Sequence, residues 1–182
     1  MNLPFRPAIL ALALAGLPGR ALPPPRPGLA LVRLELDSND REAARTVRRI
    51  LREGLPEICL ASGRYRLPAR TDPELYRQLQ TELKFQARMV DPAEARALGR
   101  MAGIGVFLAA AGELKAGLRG CELTLTIRLI DVESSDTFRQ RTFHGHGGFH
   151  LDPARSGAEA AAAVLDAFAL DLQGAPEPKE NP

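Results

Sequence analysis

The chain has 182 residues, 45% of them hydrophobic and 25% charged, the composition of one ordinary globular domain rather than of a disordered or collagen-like chain. Its 24 basic residues are 21 Arg and 3 Lys against 22 acidic ones, and residues 1–21 hold Arg6 and Arg20 but no carboxylate, so residues 22–182 are formally neutral. Neutrality argues against nonspecific nucleic-acid binding, which depends on accumulated phosphate neutralisation.

Residues 1–21 read as a signal peptide. Arg6 precedes an apolar run from Ala8 to Leu17 that is too short to span a bilayer, and small residues at Gly19 and Ala21, or at Ala13 and Ala15, suit a signal peptidase. Export to the periplasm or beyond is the expectation. Leu17 stands where a bacterial lipoprotein signal carries cysteine, so no lipid anchor is expected. Residues 22–28, Leu-Pro-Pro-Pro-Arg-Pro-Gly, form a Pro-rich linker, 29–172 a single α/β domain, and 173–182 a polar tail expected to be disordered.

Within the domain, Leu29 to Leu36 is an aliphatic run broken only by Arg33 and Glu35, which suits a strand largely buried on both faces. Asn39 with Glu42 makes a capping box. Ala43, Val47, Ile50 and Leu51 then repeat at helical spacing until Gly54 supplies a stop, leaving an Arg-rich outer face. Ile58 to Tyr65 predicts a second strand, and Thr71, Pro73 and Glu74 open a helix carrying Leu75, Leu79 and Leu83. Asp91-Pro92-Ala93-Glu94 starts a short helix ending near Gly103.

Ile104 to Ala111 predicts a strand and Lys115 to Gly120 a loop. Leu123, Leu125, Ile127 and Leu129 then alternate with Glu122, Thr124, Thr126 and Arg128, one face apolar and the other wet. The turn Glu133-Ser134-Ser135-Asp136 leads into a strand from Thr137 to Gly147, and Ser156 with Glu159 caps a last helix lined by Ala161, Val164, Leu165, Phe168 and Leu172. The expected architecture is α/β: a mixed sheet of about five strands covered by three to four amphipathic helices.

Few residues offer chemistry. Cys59 and Cys121 both fall at predicted strand starts and either close one disulfide or stay buried thiols; no second cysteine is near enough to either for a zinc or redox motif. All three histidines lie in His144-Gly145-His146-Gly147-Gly148-Phe149-His150. In a strand the first two share a face, as a metal-dependent enzyme or metal carrier would require. Against that, no Cys, Asp or Glu lies between Arg139 and Leu151 to complete a ligand set, so the structural reading is preferred: no catalytic residue, no cofactor and no metal site is assigned. Ser62 lacks the flanking glycine of a nucleophile elbow. Arg41, Arg45, Arg48, Arg49 and Arg52 form a basic helix face without interleaved aromatics, which fits a solvated surface or an acidic protein partner and does not favour nucleic acid.

Three segments carry a family resemblance: Leu79-Gln80-Thr81-Glu82-Leu83-Lys84-Phe85-Gln86; Met89-Val90-Asp91-Pro92 with Gly99 and Gly103; and Leu125-Thr126-Ile127-Arg128-Leu129-Ile130-Asp131-Val132-Glu133. Together they resemble the CsgG/LpoB/TolB-N-terminal-like superfamily of bacterial envelope proteins. There a Glu-bearing helix is followed by a "vDp..a..lG...G" helix, a strand, and a strand ending "lrliDvetg". The resemblance implies a noncatalytic α/β module that binds an envelope partner or assembles with itself. The connections are too short for the membrane-spanning hairpins of channel-forming members, so no transmembrane span is expected.

Overall fold

A computed structural model describes residues 25–68 and 92–174. Their order is β1 (Leu29–Ser38), α1 (Arg41–Ala61), α2 (Pro92–Ala102), β2 (Val106–Gly117), β3 (Gly120–Asp131), β4 (Thr137–Gly147) and α3 (Pro153–Gly174). The expected signal peptide, the helix expected from Thr71 to Leu83 and residues 175–182 of the expected tail lie outside the described residues, while Gln173 and Gly174, expected in that tail, end the last helix. These four strands form one open mixed sheet in the order β1-β2-β3-β4; β1 runs parallel to β2, and β2, β3 and β4 are antiparallel neighbours.

The sheet has four strands rather than about five among the described residues, because α1 takes up the strand expected from Ile58 to Tyr65. Gly54 does not stop the helix, which passes through Pro56 to Ala61. Proline removes one helical hydrogen bond, yet continuing the helix buries Leu55 and Cys59 completely and packs Ile58 and Leu60 against the same core. Burial outweighs the local breaker. One residue past the expected strand, Arg66 forms an isolated bridge with Gly28, in which Leu29 N–H donates to Arg66 O (3.0 Å) and Arg66 N–H to Pro27 O (3.1 Å). The cap of α1 also shifts by one residue. Asp40 accepts the N–H groups of Glu42 and Ala43, while the Asn39 amide pairs with both backbone groups of Ala116 and ties the start of α1 to β2.

Alternation decides which side chains enter the core. Leu123, Leu125, Ile127 and Leu129 are buried as expected, facing α1 and α3. In β1 the apolar residues change parity, and the strand answers with a β-bulge between Leu31 and Arg33. Leu29 and Leu31 before it, and Leu34 and Leu36 after it, thereby join one core, while Ala30 and Val32 join the cluster on the opposite face. Only the first half of β1 is buried on both faces; Arg33 and Glu35 form an exposed ion pair (2.7 Å) on this edge strand. The strand expected to stop at Ala111 continues to Gly117, and a two-residue turn, Leu118-Arg119, leads into β3.

Helices α1 and α3 lie side by side on one face of the sheet, with Gly157 against Ala43 and Val47, and Gly54 against Leu165. On the other face Ala102 and Ile104 cover Ala30, Phe107 and Val132. The seating of α3 on β4 tapers. At its far end Phe168 meets Phe143 edge-to-face, with centroids 5.7 Å apart. Near its start the backbone lies directly on the strand: a Cβ at Gly145 would run into the Ala160 carbonyl, and one at Gly147 into the Ser156 carbonyl. Gly145→Ala and Gly147→Ala should each destabilise the fold by about 1–3 kcal/mol or more, because rigid backbone must move. Gly174→Ala, with nothing within 4 Å, should be near neutral. Urea unfolding of the three variants makes the comparison, and equal tolerance at all three sites would refute the close contact.

Candidate interaction site at one end of the sheet

The turn between β2 and β3, the start of α1 and the loop from β4 into α3 meet at one end of the sheet, since Asn39 binds Ala116 and Cys121 pairs with Gly147. A buried polar side chain fastens this end. Ser156, 1% exposed, accepts the Cys121 N–H (2.7 Å) and donates to Gly147 O (3.1 Å), tying α3 to β3 and β4 at once. Ser156 is therefore not the expected helix cap. α3 begins at Pro153, where Asp152 accepts the Ala154 N–H (2.9 Å). Glu159, expected as the partner in that cap, turns to the loop instead. Its carboxylate accepts the Gly148 N–H (3.0 Å) and pairs with His150 Nε2 (2.6 Å). Hydrogen bonding from His150 first, and from Gly148 second, holds the Glu159 carboxyl below its ordinary value.

The histidines separate into two environments. His144 and His146 project from the exposed face of β4, opposite Thr124 and Glu122 of β3, and His144 Nδ1 shares a hydrogen bond with Thr124 Oγ1 (3.1 Å). His150 is half-buried in the loop against Glu159. Among the described residues, no group of three or more His, Cys, Asp or Glu side chains is placed to hold a metal ion. The cysteines do not pair either. Cys59 lies inside α1 rather than at a strand start, Cys121 opens β3, and both are buried free thiols. Burial pushes the Cys59 thiol up to about 12, so it carries no thiolate nucleophile at neutral pH.

Of the residues in the resembling segments, Gly99, Asp131 and Glu133 lie at the opposite end of the sheet, where they serve the architecture. Gly99 lies beneath Val132, which leaves no room for a Cβ, and its carbonyl accepts the Ile104 N–H (2.8 Å). Arg100 Nε and Nη2 donate to the two oxygens of Glu133 (2.7 and 2.5 Å), joining α2 to the turn after β3. Asp131 accepts the Ser134 N–H (2.8 Å) and closes that turn.

What stands out at the Ser156 end is apolar surface on loops. Leu118 in the β2–β3 turn is 93% exposed, Phe149 62% and Leu151 95%. Turn segments ordinarily carry polar residues, so a leucine in Gly117-Leu118-Arg119-Gly120 was the available signal for this surface; a pattern search for helices and strands passes over it.

No protein-family model matches the chain, and no curated protein matches its sequence. Among solved structures it is similar to the PelC dodecamer from Paraburkholderia phytofirmans, at 16% identity over 82% of this chain and 89% of that one, with a TM-score of 0.49. It is also similar to lipoprotein GNA1162 from Neisseria meningitidis, at 16% identity over 80% of this chain and 97% of that one, with a TM-score of 0.44. The LpoB C-terminal domain from Escherichia coli is similar at 14% identity, over 65% and 82% of the two chains, with a TM-score of 0.41. Similarity at this level assigns no function.

Two measurements test the site. Because the folded-state pKa of Glu159 is lowered, the clasp is fully formed above the ordinary carboxylate value near 4.5 and is lost as pH falls through the lower folded value. The Gly148 amide resonance should titrate with a midpoint below 4.5 and lose this titration in Glu159→Gln; a midpoint at or above 4.5 would contradict the clasp. Zinc added to the purified chain should be removed by dialysis, since His144 and His146 lack a third ligand among the described residues. Stoichiometric retention that depends on both histidines would reinstate the metal-dependent reading.

Proposed function

We propose that the chain is an exported, noncatalytic binding module of the bacterial cell envelope that works through contacts with an envelope protein or with further copies of itself, without nucleic acid, a lipid anchor or a cofactor. One observation carries the reading. Among the described residues that resemble the envelope superfamily, Gly99, Asp131 and Glu133 are engaged in packing, a turn and an ion pair, which supports reading the resemblance as one to a scaffold and not to a catalytic constellation. The apolar loop tips at the other end, Leu118, Phe149 and Leu151, supply a contact surface. No helix among the described residues is long and apolar enough to cross a membrane.

A photo-reactive amino acid placed at Phe149 or Leu151 in the producing bacterium tests this. The chain should be recovered lacking roughly its first 15 to 21 residues, without an acyl chain, and cross-linked to envelope proteins or to itself. A full-length cytosolic chain without adducts would overturn the proposal.

A further inference from the structure

The guanidinium row on α1 has a direction. At 100° per residue, Arg41, Arg45, Arg48, Arg49 and Arg52 fall within an arc of about 100° and extend along about 16 Å of helix. The contacts of α1 fix where that arc lies. Gly54, Ala43 and Val47 face α3, whereas Arg48 reaches the opposite way and donates to Leu36 O of β1 (2.5 Å). The row therefore overhangs the β1 edge of the sheet. Arg41, Arg45, Arg49 and Arg52 are exposed, and their side chains make no ion pair or hydrogen bond among the described residues. Arg48 is the anchored member.

The surroundings determine what this row accepts. Exposed carboxylates border it on one side, Glu42, Glu53 and Glu57 on the adjoining arc of α1, while Glu35 and Asp37 alternate with the core residues Leu34 and Leu36 and so project from the opposite face of the sheet. A flat anionic bilayer or the broad phosphate surface of a duplex would meet the α1 carboxylates together with the arginines. A narrow acidic chain lying along the centre of the row, over Arg41, Arg45, Arg48 and Arg52, meets mainly guanidinium groups. Among the described residues, none of the large exposed apolar side chains belongs to α1, so the face offers nothing to insert into lipid. We propose that the α1 arginine row is a docking surface for an acidic protein segment, a helix or extended strand with carboxylates repeating along about three helical turns. It deepens the binding-module reading by adding a second surface, along the side of α1 rather than on the apolar loop tips, and rests on that reading only in taking the chain to act through contacts.

The test uses the processed full chain and a labelled synthetic peptide whose glutamates repeat at i and i+4 over about three turns. The peptide should bind, with affinity falling as salt is raised, and the variant Arg41→Gln, Arg45→Gln, Arg49→Gln, Arg52→Gln should bind it about tenfold or more weakly while keeping its thermal midpoint. Arg33→Gln, outside the row, should leave binding unchanged. Equal binding by the fourfold variant would overturn the proposal, as would row-dependent binding of phosphatidylglycerol vesicles or duplex DNA without the peptide. The photo-cross-link at Phe149, measured in the same fourfold variant, separates the two ideas. Retained adducts with no peptide binding sink the arginine surface alone, and peptide binding without any Phe149 adduct in the wild type sinks the loop-tip contact alone.

Discussion

The structure depends on how closely α3 can lie on β4. An α-helix normally rides on a sheet at a distance set by the side chains between them, but Gly145 and Gly147 remove those side chains and let the first turns of α3 touch the strand through the carbonyls of Ser156 and Ala160. Burying backbone so closely leaves polar groups that must find partners. Ser156 answers this by accepting from Cys121 and donating to Gly147. The taper toward Phe143 and Phe168 follows from it, since side chains separate helix and strand at that end. Arg139 then secures the wide end through Asp171, with the two side chains only 19% and 25% exposed.

Much of this arrangement was legible in the residues, for physical reasons that also account for the rest. The period-two pattern from Leu123 to Leu129 held because a half-buried strand has no other way to segregate those side chains, and the last helix held because its apolar stripe is long. Gly54 misled because local propensity is worth about 1 kcal/mol and the burial of Leu55 and Cys59 exceeds it. Asn39 and Ser156 misled in the same way. Both have the side chain of a cap, and in both cases a long-range backbone partner took the hydrogen bond that a local reading assigns to the helix. At the candidate site, the histidines were visible as a cluster, but Glu159, the residue that engages His150, lies a loop and a helical turn away. The exposed loop leucines had no periodicity by which to be found.

The charges divide according to their surroundings. Where a guanidinium and a carboxylate are both partly shielded, as at Arg139 and Asp171, the pair fixes geometry between elements. Arg100 and Glu133 hold bidentate geometry while remaining largely in water, so their contribution is orientation of the turn more than stability. Five arginines on one helix serve neither purpose as a group, since of the five Arg48 alone reaches back to the sheet among the described residues.

The parallel pairing of β1 with β2 also orders events in time. β2, β3 and β4 succeed one another through short turns, so their contacts are local and form with little loss of chain entropy. Leu29 pairs with Val106, about 80 positions further along, and the bulge after Leu31 admits one register only. β1 leaves the ribosome ahead of β2 and therefore has no template until the hairpin that receives it exists. Until then Leu29, Leu31 and Leu36 have only α1, the element that follows them directly, to pack against, so the wall of the core that β2 and β3 supply is a non-local one.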